Sequence, residues 1–168
     1  MKSTPERQHE FDIAYMKMAI AMSELSYALR KKVGSIIVSK NDQVISQGFN
    51  GTPIGFPNVC EYYIDKEGNH INLDHYKPIE IKKLYTIDEL KTKDEVLHAE
   101  ANSITKLAKY QSSTEGGTLY VTLSPCIHCA KLIIQAEIKR VVYLEDYRDN
   151  TGIELLKQFG IEVVKLKI

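Results

Sequence analysis

Cysteine is scarce in this chain: there are three in 168 residues, at positions 60, 126 and 129. An odd, low count argues against a secreted disulfide framework. A basic excess is also missing, because 22 Lys and Arg balance 22 Asp and Glu. Proteins that hold a long polyanion usually show such an excess, so a polynucleotide partner is not expected. A local basic pocket for one phosphate is still compatible with these numbers. Near-zero net charge also removes one barrier to self-association. No run of about 18 apolar residues occurs, so no membrane span is expected. Residues 1–7 are polar and carry no apolar signal core. The expected compartment is therefore the reducing cytoplasm. Repeats, low-complexity tracts and interdomain linkers are lacking too. A single domain over residues 1–168 is expected, long enough to bury a core.

What is present alternates between helical and strand patterns. A helix is expected from about Pro5 to Leu29, with Thr4 as its cap and Pro5 at its first position. Phe11, Tyr15, Met18, Met22, Leu25 and Leu29 form its apolar stripe. Val33–Val38 and Val44–Ser46 read as strands around a tight turn at Lys40–Asp42. Gly48–Pro57, rich in Gly, Pro and Asn, reads as a shaped loop. Residues from about 58 to 95 are polar, Tyr-rich and weakly periodic, and read as an insertion. Beyond it, helices are expected at Leu97–Lys109, Cys126–Ala136 and Thr151–Phe159, the last ended by Gly160. Strands are expected at Thr118–Leu123, Val141–Leu144 and Ile161–Leu166. Such alternation argues for an α/β layered domain with helices on both faces of the sheet.

Two short motifs carry chemistry. In His98-Ala99-Glu100 an imidazole suited to a metal stands two residues from a carboxylate suited to proton transfer. Alone, such a tripeptide is far more often an ordinary helix surface. In Pro125-Cys126-Ile127-His128-Cys129 a Cys-x-x-Cys opens a helix, whose dipole favours thiolates. That motif alone fits a zinc site, a redox pair or inert buried cysteines. The combination is more specific. Cys126 follows His98 by 28 positions, with one strand between the two helices. A right-handed crossover brings both helix N-termini to one end of the sheet. One His and two Cys leave a fourth tetrahedral position open, as in catalytic zinc sites. The same signature describes the zinc deaminases.

Together these motifs resemble the cytidine-deaminase-like superfamily, and the flanking residues resemble its deoxycytidylate (dCMP) deaminases, including those of bacterial viruses. The resemblance rests on His98–Ile104, Tyr120–Lys131, Val33–Val38, Gly48–Gly51 and Ile138–Tyr143 with Tyr147. It implies a three-layer α/β/α sandwich with a mixed, roughly five-stranded sheet. It implies one Zn2+ held by His98, Cys126 and Cys129, with Glu100 moving protons while water attacks carbon 4 of the pyrimidine. The products would be dUMP, a thymidylate precursor, and ammonia. Asn50 would meet the deoxyribose, Ala99 and Ser124 the base edge, and Tyr147 the phosphate. The resemblance further implies a homohexamer activated by dCTP, with Mg2+ accompanying it, and inhibited by dTTP. Lys32, Gly48, Asn50 and Gly51 resemble the effector site, where amides of a Gly-rich turn could cradle phosphates.

Other readings stay open on the sequence. The base could be a tRNA adenosine or guanine, although a flipped polynucleotide base needs a positively lined approach. A non-catalytic zinc-braced module would keep the ligands without needing Glu100. Cys60, His70 and His75 are the candidates for a second, structural zinc in the insertion, and His128 is read as near the pocket without being a ligand.

Overall fold

The computed structural model describes residues 4–110 and 112–168; the polar residues 1–3 lie outside the described residues. In chain order the elements are α1 (Pro5–Glu24), β1 (Gly34–Val38), β2 (Val44–Phe49), β3 (Glu61–Ile64), β4 (His70–Asn72), α2 (Pro78–Leu84), β5 (Leu90–Thr92), α3 (Ala99–Leu107), β6 (Thr118–Leu123), α4 (Ile127–Gln135), β7 (Arg140–Glu145), α5 (Thr151–Gln158) and β8 (Glu162–Lys165). A five-stranded sheet runs in the order β2-β1-β6-β7-β8. β1 is antiparallel to β2 and β6, whereas β6, β7 and β8 are parallel. The tight turn between β1 and β2 closes with Asp42 at φ 60.

Strand periodicity divides the core in two. Ile36, Val38, Tyr120 and Val142 point to one face, against Met16 and Ala19 of α1. Ile37, Leu119, Val121 and Val141 point to the other, against Ala99, Ala130, Ile133 and Leu156 of α3, α4 and α5. The result is the expected three-layer α/β/α sandwich with a mixed sheet. Among the described residues no helix is long and apolar enough to cross a membrane.

Three expectations change. First, α1 stops at Glu24, not near Leu29. Ser26 pulls the chain away: its hydroxyl donates to the Asn50 carbonyl at 2.7 Å. Leu29 is instead buried with Val59, Leu73, Ile81 and Leu90. Second, the buried face of α1 runs through Asp12, Met16 and Ala19, while Met18 is 42% and Leu25 55% exposed. A buried Asp is invisible to a search for apolar periodicity. Third, the insertion is ordered. β4, β3 and β5 form their own antiparallel sheet, with Tyr63 stacked on Tyr85 at 4.5 Å. Strands of three or four residues are too short to register as a pattern.

Asp12 is held by two hydrogen bonds from Arg140 at 2.7 and 2.8 Å and one from the Tyr120 hydroxyl at 2.8 Å. Burial alone would raise its carboxyl, but the hydrogen bonds from Arg140, Tyr120 and Gln8 outweigh burial and hold it below the usual value. The stabilisation is therefore present above the unfolded carboxyl range and is lost as pH falls through the lower folded value. Asp12→Ala should cost about 3 kcal/mol at pH 7, because it leaves Arg140 with the exposed Glu162 as its one carboxylate partner. Urea unfolding should show that cost shrinking below about pH 4. A cost independent of pH would remove this account.

Candidate active site

His98 is the residue that caps α3, with extended backbone (φ -69, ψ 156), so its ring projects ahead of the helix instead of lying along it. The preceding Leu97 is pinned by a reciprocal pair of backbone hydrogen bonds to Gly51, at 2.9 and 3.1 Å. Cys126 caps α4 in the same way, and Cys129 lies in the first turn. The His98 Nδ1 stands 3.5 Å from Cys126 Sγ and 3.4 Å from Cys129 Sγ. All three ligand atoms fall within 4.8 Å of one another, the only such group among the described residues. Zinc bonds of about 2.0–2.3 Å at a tetrahedral angle place ligand atoms roughly 3.5–3.8 Å apart. The triad therefore fits zinc in donor chemistry and in spacing.

The electrostatics suit both metal and proton transfer. The Cys126 thiol is pulled down to about 3 by the hydrogen bond from Cys129, against burial, with help from His98. Cys129 is driven up, first by that same hydrogen bond and then by burial. A cation bound between the sulfurs would favour thiolate at both. Glu100 is 3% exposed, and burial raises its carboxyl, opposed by its own backbone amide and by His98. A carboxyl raised in this way is suited to accept and return a proton near neutral pH.

His98, Glu100 and Cys126 line a cavity of about 550 Å3, a size typical of ligand pockets. Asn50, Ser124 and Tyr147 line it as well. Ala99 is buried between His98 and Glu100. The Ser124 hydroxyl accepts from the Tyr147 amide at 2.7 Å, tying the two together. Asn50 is more committed to the protein than expected. Its Oδ1 accepts from the Val33 amide at 2.8 Å, and its Nδ2 donates to the Lys31 carbonyl at 2.9 Å. That leaves one side-chain N–H for a ligand. Among the cavity residues that escaped sequence reasoning are Arg30, Lys31, Arg148 and Glu61. Arg148 sits 5.3 Å from the Tyr147 ring centroid. No local pattern marks them, because the ordered insertion and the ends of two strands bring them together.

The anticipated phosphate cradle is not built at Gly48 and Gly51. Gly48 lies inside the β1–β2 ladder opposite Ser35, and the Gly51 amide is bonded to Leu97. A Cβ on Gly48 would stand 2.4 Å from the Ala99 carbonyl oxygen and 2.7 Å from the Ser103 nitrogen. The missing side chain lets α3 lie directly on β2. Gly152 does the same for α5, where a Cβ would meet the Pro125 oxygen at 2.1 Å. Lys32 donates to the Glu24 carbonyl at 3.1 Å. In the insertion, Cys60 is fully buried, its thiol raised to about 11 chiefly by burial. His70 is exposed and stacks on Tyr62 at 4.2 Å, and His75 is exposed. The structure does not bring these three together as a ligand set. His128 is exposed and takes no part in the triad.

His98→Ala or Cys126→Ser should lower bound zinc from about one per chain to near zero, as a three-ligand site loses a ligand. Glu100→Gln should leave metal content unchanged. Plasma mass spectrometry of the purified variants reads both, and full zinc in His98→Ala would refute the assignment.

With this geometry in hand, known proteins supply the context. Residues 9–145 match the family model described as the cytidine and deoxycytidylate deaminase zinc-binding region. The deoxycytidylate deaminase of Enterobacteria phage T4 is 37% identical, over 88% of this chain and 86% of its own length. The human deoxycytidylate deaminase is 33% identical, over 81% of this chain and 66% of its own. The crystal structure of dCMP deaminase from cyanophage S-TIM5, in complex with dCMP and dUMP, superposes with a TM-score of 0.75 at 38% identity, covering 98% of this chain and 100% of that one. On the matched residues and the triad they place, this chain belongs to the cytidine and deoxycytidylate deaminase family.

Proposed function

We propose that the protein hydrolyses dCMP to dUMP and ammonia. The observation that carries this reading is the buried Glu100 beside a three-ligand triad, inside a cavity that also holds Arg30, Lys31 and Arg148. The cavity thus combines a reacting carboxyl with cationic side chains, as a nucleoside monophosphate requires. The likeness to the phage enzymes, one of them in complex with dCMP and dUMP, supports the same substrate.

His98, Cys126 and Cys129 would hold the zinc. Bound there, zinc supplies Lewis acidity that makes water nucleophilic near neutral pH. Glu100 takes a proton from the water that attacks carbon 4 and delivers it to ring nitrogen 3. The same carboxylate then takes the proton of the hydroxyl now on carbon 4 and passes it to the exocyclic amino group, which leaves as ammonia as the carbon 4 carbonyl forms. Burial serves both transfers by keeping the charged carboxylate from being over-stabilised. The backbone around Ala99 and Ser124 would hold the base edge, and Asn50 would meet the sugar with its remaining N–H. Tyr147, with Arg148 beside it, would border the phosphate, as Arg30 and Lys31 would from the opposite wall. Lys31 is paired with Glu145 at 2.5 Å, so a phosphate would compete with that carboxylate.

Glu100→Gln should cut kcat on dCMP roughly 10²–10⁴-fold. A zinc-loaded variant that deaminates normally would falsify the proton-transfer role. Across cytidine, dCMP, dCTP, guanine and tRNA, dCMP should give the highest kcat/KM. Preference for guanine or tRNA would replace this reading with the alternative base. The proposal extends to a cytoplasmic hexamer activated by Mg2+-dCTP and inhibited by dTTP. Only the family resemblance supports that extension, because Gly48 and Gly51 do not build the site. Mg2+-dCTP should shift the dCMP saturation curve to lower concentration, and an unchanged curve removes activation from the proposal.

A further inference from the structure

The ordered insertion contributes Glu61, Ile87, Thr92, Lys93 and Asp94 to the cavity lining. Glu61, the first residue of β3, is 1% exposed and still lines the pocket. Its Oε1 accepts from the Leu29 amide at 3.0 Å and the Arg30 amide at 3.2 Å. Its Oε2 has no hydrogen-bond partner, the one buried side-chain oxygen or nitrogen in that state among the described residues. An unsatisfied buried carboxylate oxygen is costly and calls for an explanation. Burial raises this carboxyl, opposed by the Arg30 and Leu29 amides and by the charges of Arg30 and Lys93. Lys93, the nearby ammonium, is already committed to Asp74 at 2.5 Å.

Position and chemistry narrow what the free oxygen could receive. Asn50 grips Lys31 and Val33, and Glu61 grips Leu29 and Arg30, so both brace one backbone run along the cavity. Arg30, Lys31 and Val33 of that run line the cavity together with Glu61, His98 and Glu100. A carboxylate oxygen there needs a donor. The phosphate of dCMP offers only acceptors, and its amino group belongs at the reacting end beside Glu100. The sugar of a deoxynucleotide offers one donor, the 3′-hydroxyl.

We infer that Glu61 Oε2 accepts a hydrogen bond from the 3′-hydroxyl of the substrate, making Glu61 a specificity-determining residue supplied by the insertion. The inference rests on the dCMP reading for its choice of ligand. Binding completes the shell of an oxygen that the free protein leaves unpaired. A nucleotide lacking the hydroxyl leaves it unpaired in the complex, and so is rejected.

The test compares dCMP with 2′,3′-dideoxycytidine monophosphate on the full, zinc-loaded chain. The expected kcat/KM ratio is roughly 10–100 in favour of dCMP, carried mainly by KM. Glu61→Gln keeps an acceptor for the Leu29 and Arg30 amides but can turn its NH2 toward the sugar. It should bring the ratio within about threefold, by weakening dCMP alone. Full discrimination by zinc-loaded Glu61→Gln overturns the inference. If that variant fails to fold, the unsubstituted chain still decides: a ratio near one means that solvent satisfies the oxygen, and overturns it. Calorimetric binding of both nucleotides to Glu100→Gln separates this inference from the deamination reading. Selective binding of dCMP without turnover by the unsubstituted chain would sink deamination and leave the Glu61 contact standing. Equal binding of the two nucleotides, or binding of neither, overturns the contact.

Discussion

The contact between the His98 imidazole and the two sulfurs of Cys126 and Cys129 is the constraint around which the fold is arranged. Neither side chain set lies on a helix surface. His98 and Cys126 cap their helices with the backbone still extended, and Cys129 follows in the first turn of α4. To meet within 3.5 Å, α3 and α4 must start at the same height above the sheet and at the right separation. The Gly51–Leu97 bridge sets the height of one, and the short turn after β6 sets the height of the other. Three donors from two segments then leave room for a fourth, which separates a reactive metal site from a purely structural one.

The two faces of the sheet divide the work. The face toward α1 holds no reactive group, and its one buried charge, Asp12, is answered by Arg140 and Tyr120. The opposite face carries α3, α4 and α5, and with them the ligands and Glu100. A closed ionic cluster behind the sheet and an incompletely satisfied one in front are opposite solutions to burying charge. In the first, every carboxylate oxygen has a protein donor. In the second, Glu100 and Glu61 are buried with capacity left over, which suits groups that act on something else.

Much of this was legible in the sequence, and the limits have physical causes. The triad and Glu100 were legible because each ligand lies within a few residues of a partner, and because helix starts announce themselves. The five strands were legible because each alternates or runs apolar for at least a few residues. The end of α1 was not, since Ser26 breaks the helix through a hydrogen bond to Asn50, which is distant in sequence. Asp12 broke the apolar stripe because its partner Arg140 is 128 residues away. The insertion hid its strands by their shortness, and with them Glu61. At Gly48–Gly51 a glycine needed for closeness looks the same in sequence as one that would offer open amides to a phosphate.

Gly48 and Gly152 give that last distinction a wider meaning. Each stands where another part of the chain passes within about 2.4 Å of where a first side-chain carbon would sit. One such passage seats the helix that carries Glu100, and the other seats α5 against the turn that delivers Cys126. The catalytic end therefore has a tolerance set by two thicknesses of bare backbone. A single methyl group at either point would act as a shim, tilting a helix and opening the jaws of the metal clasp without touching any group that reacts.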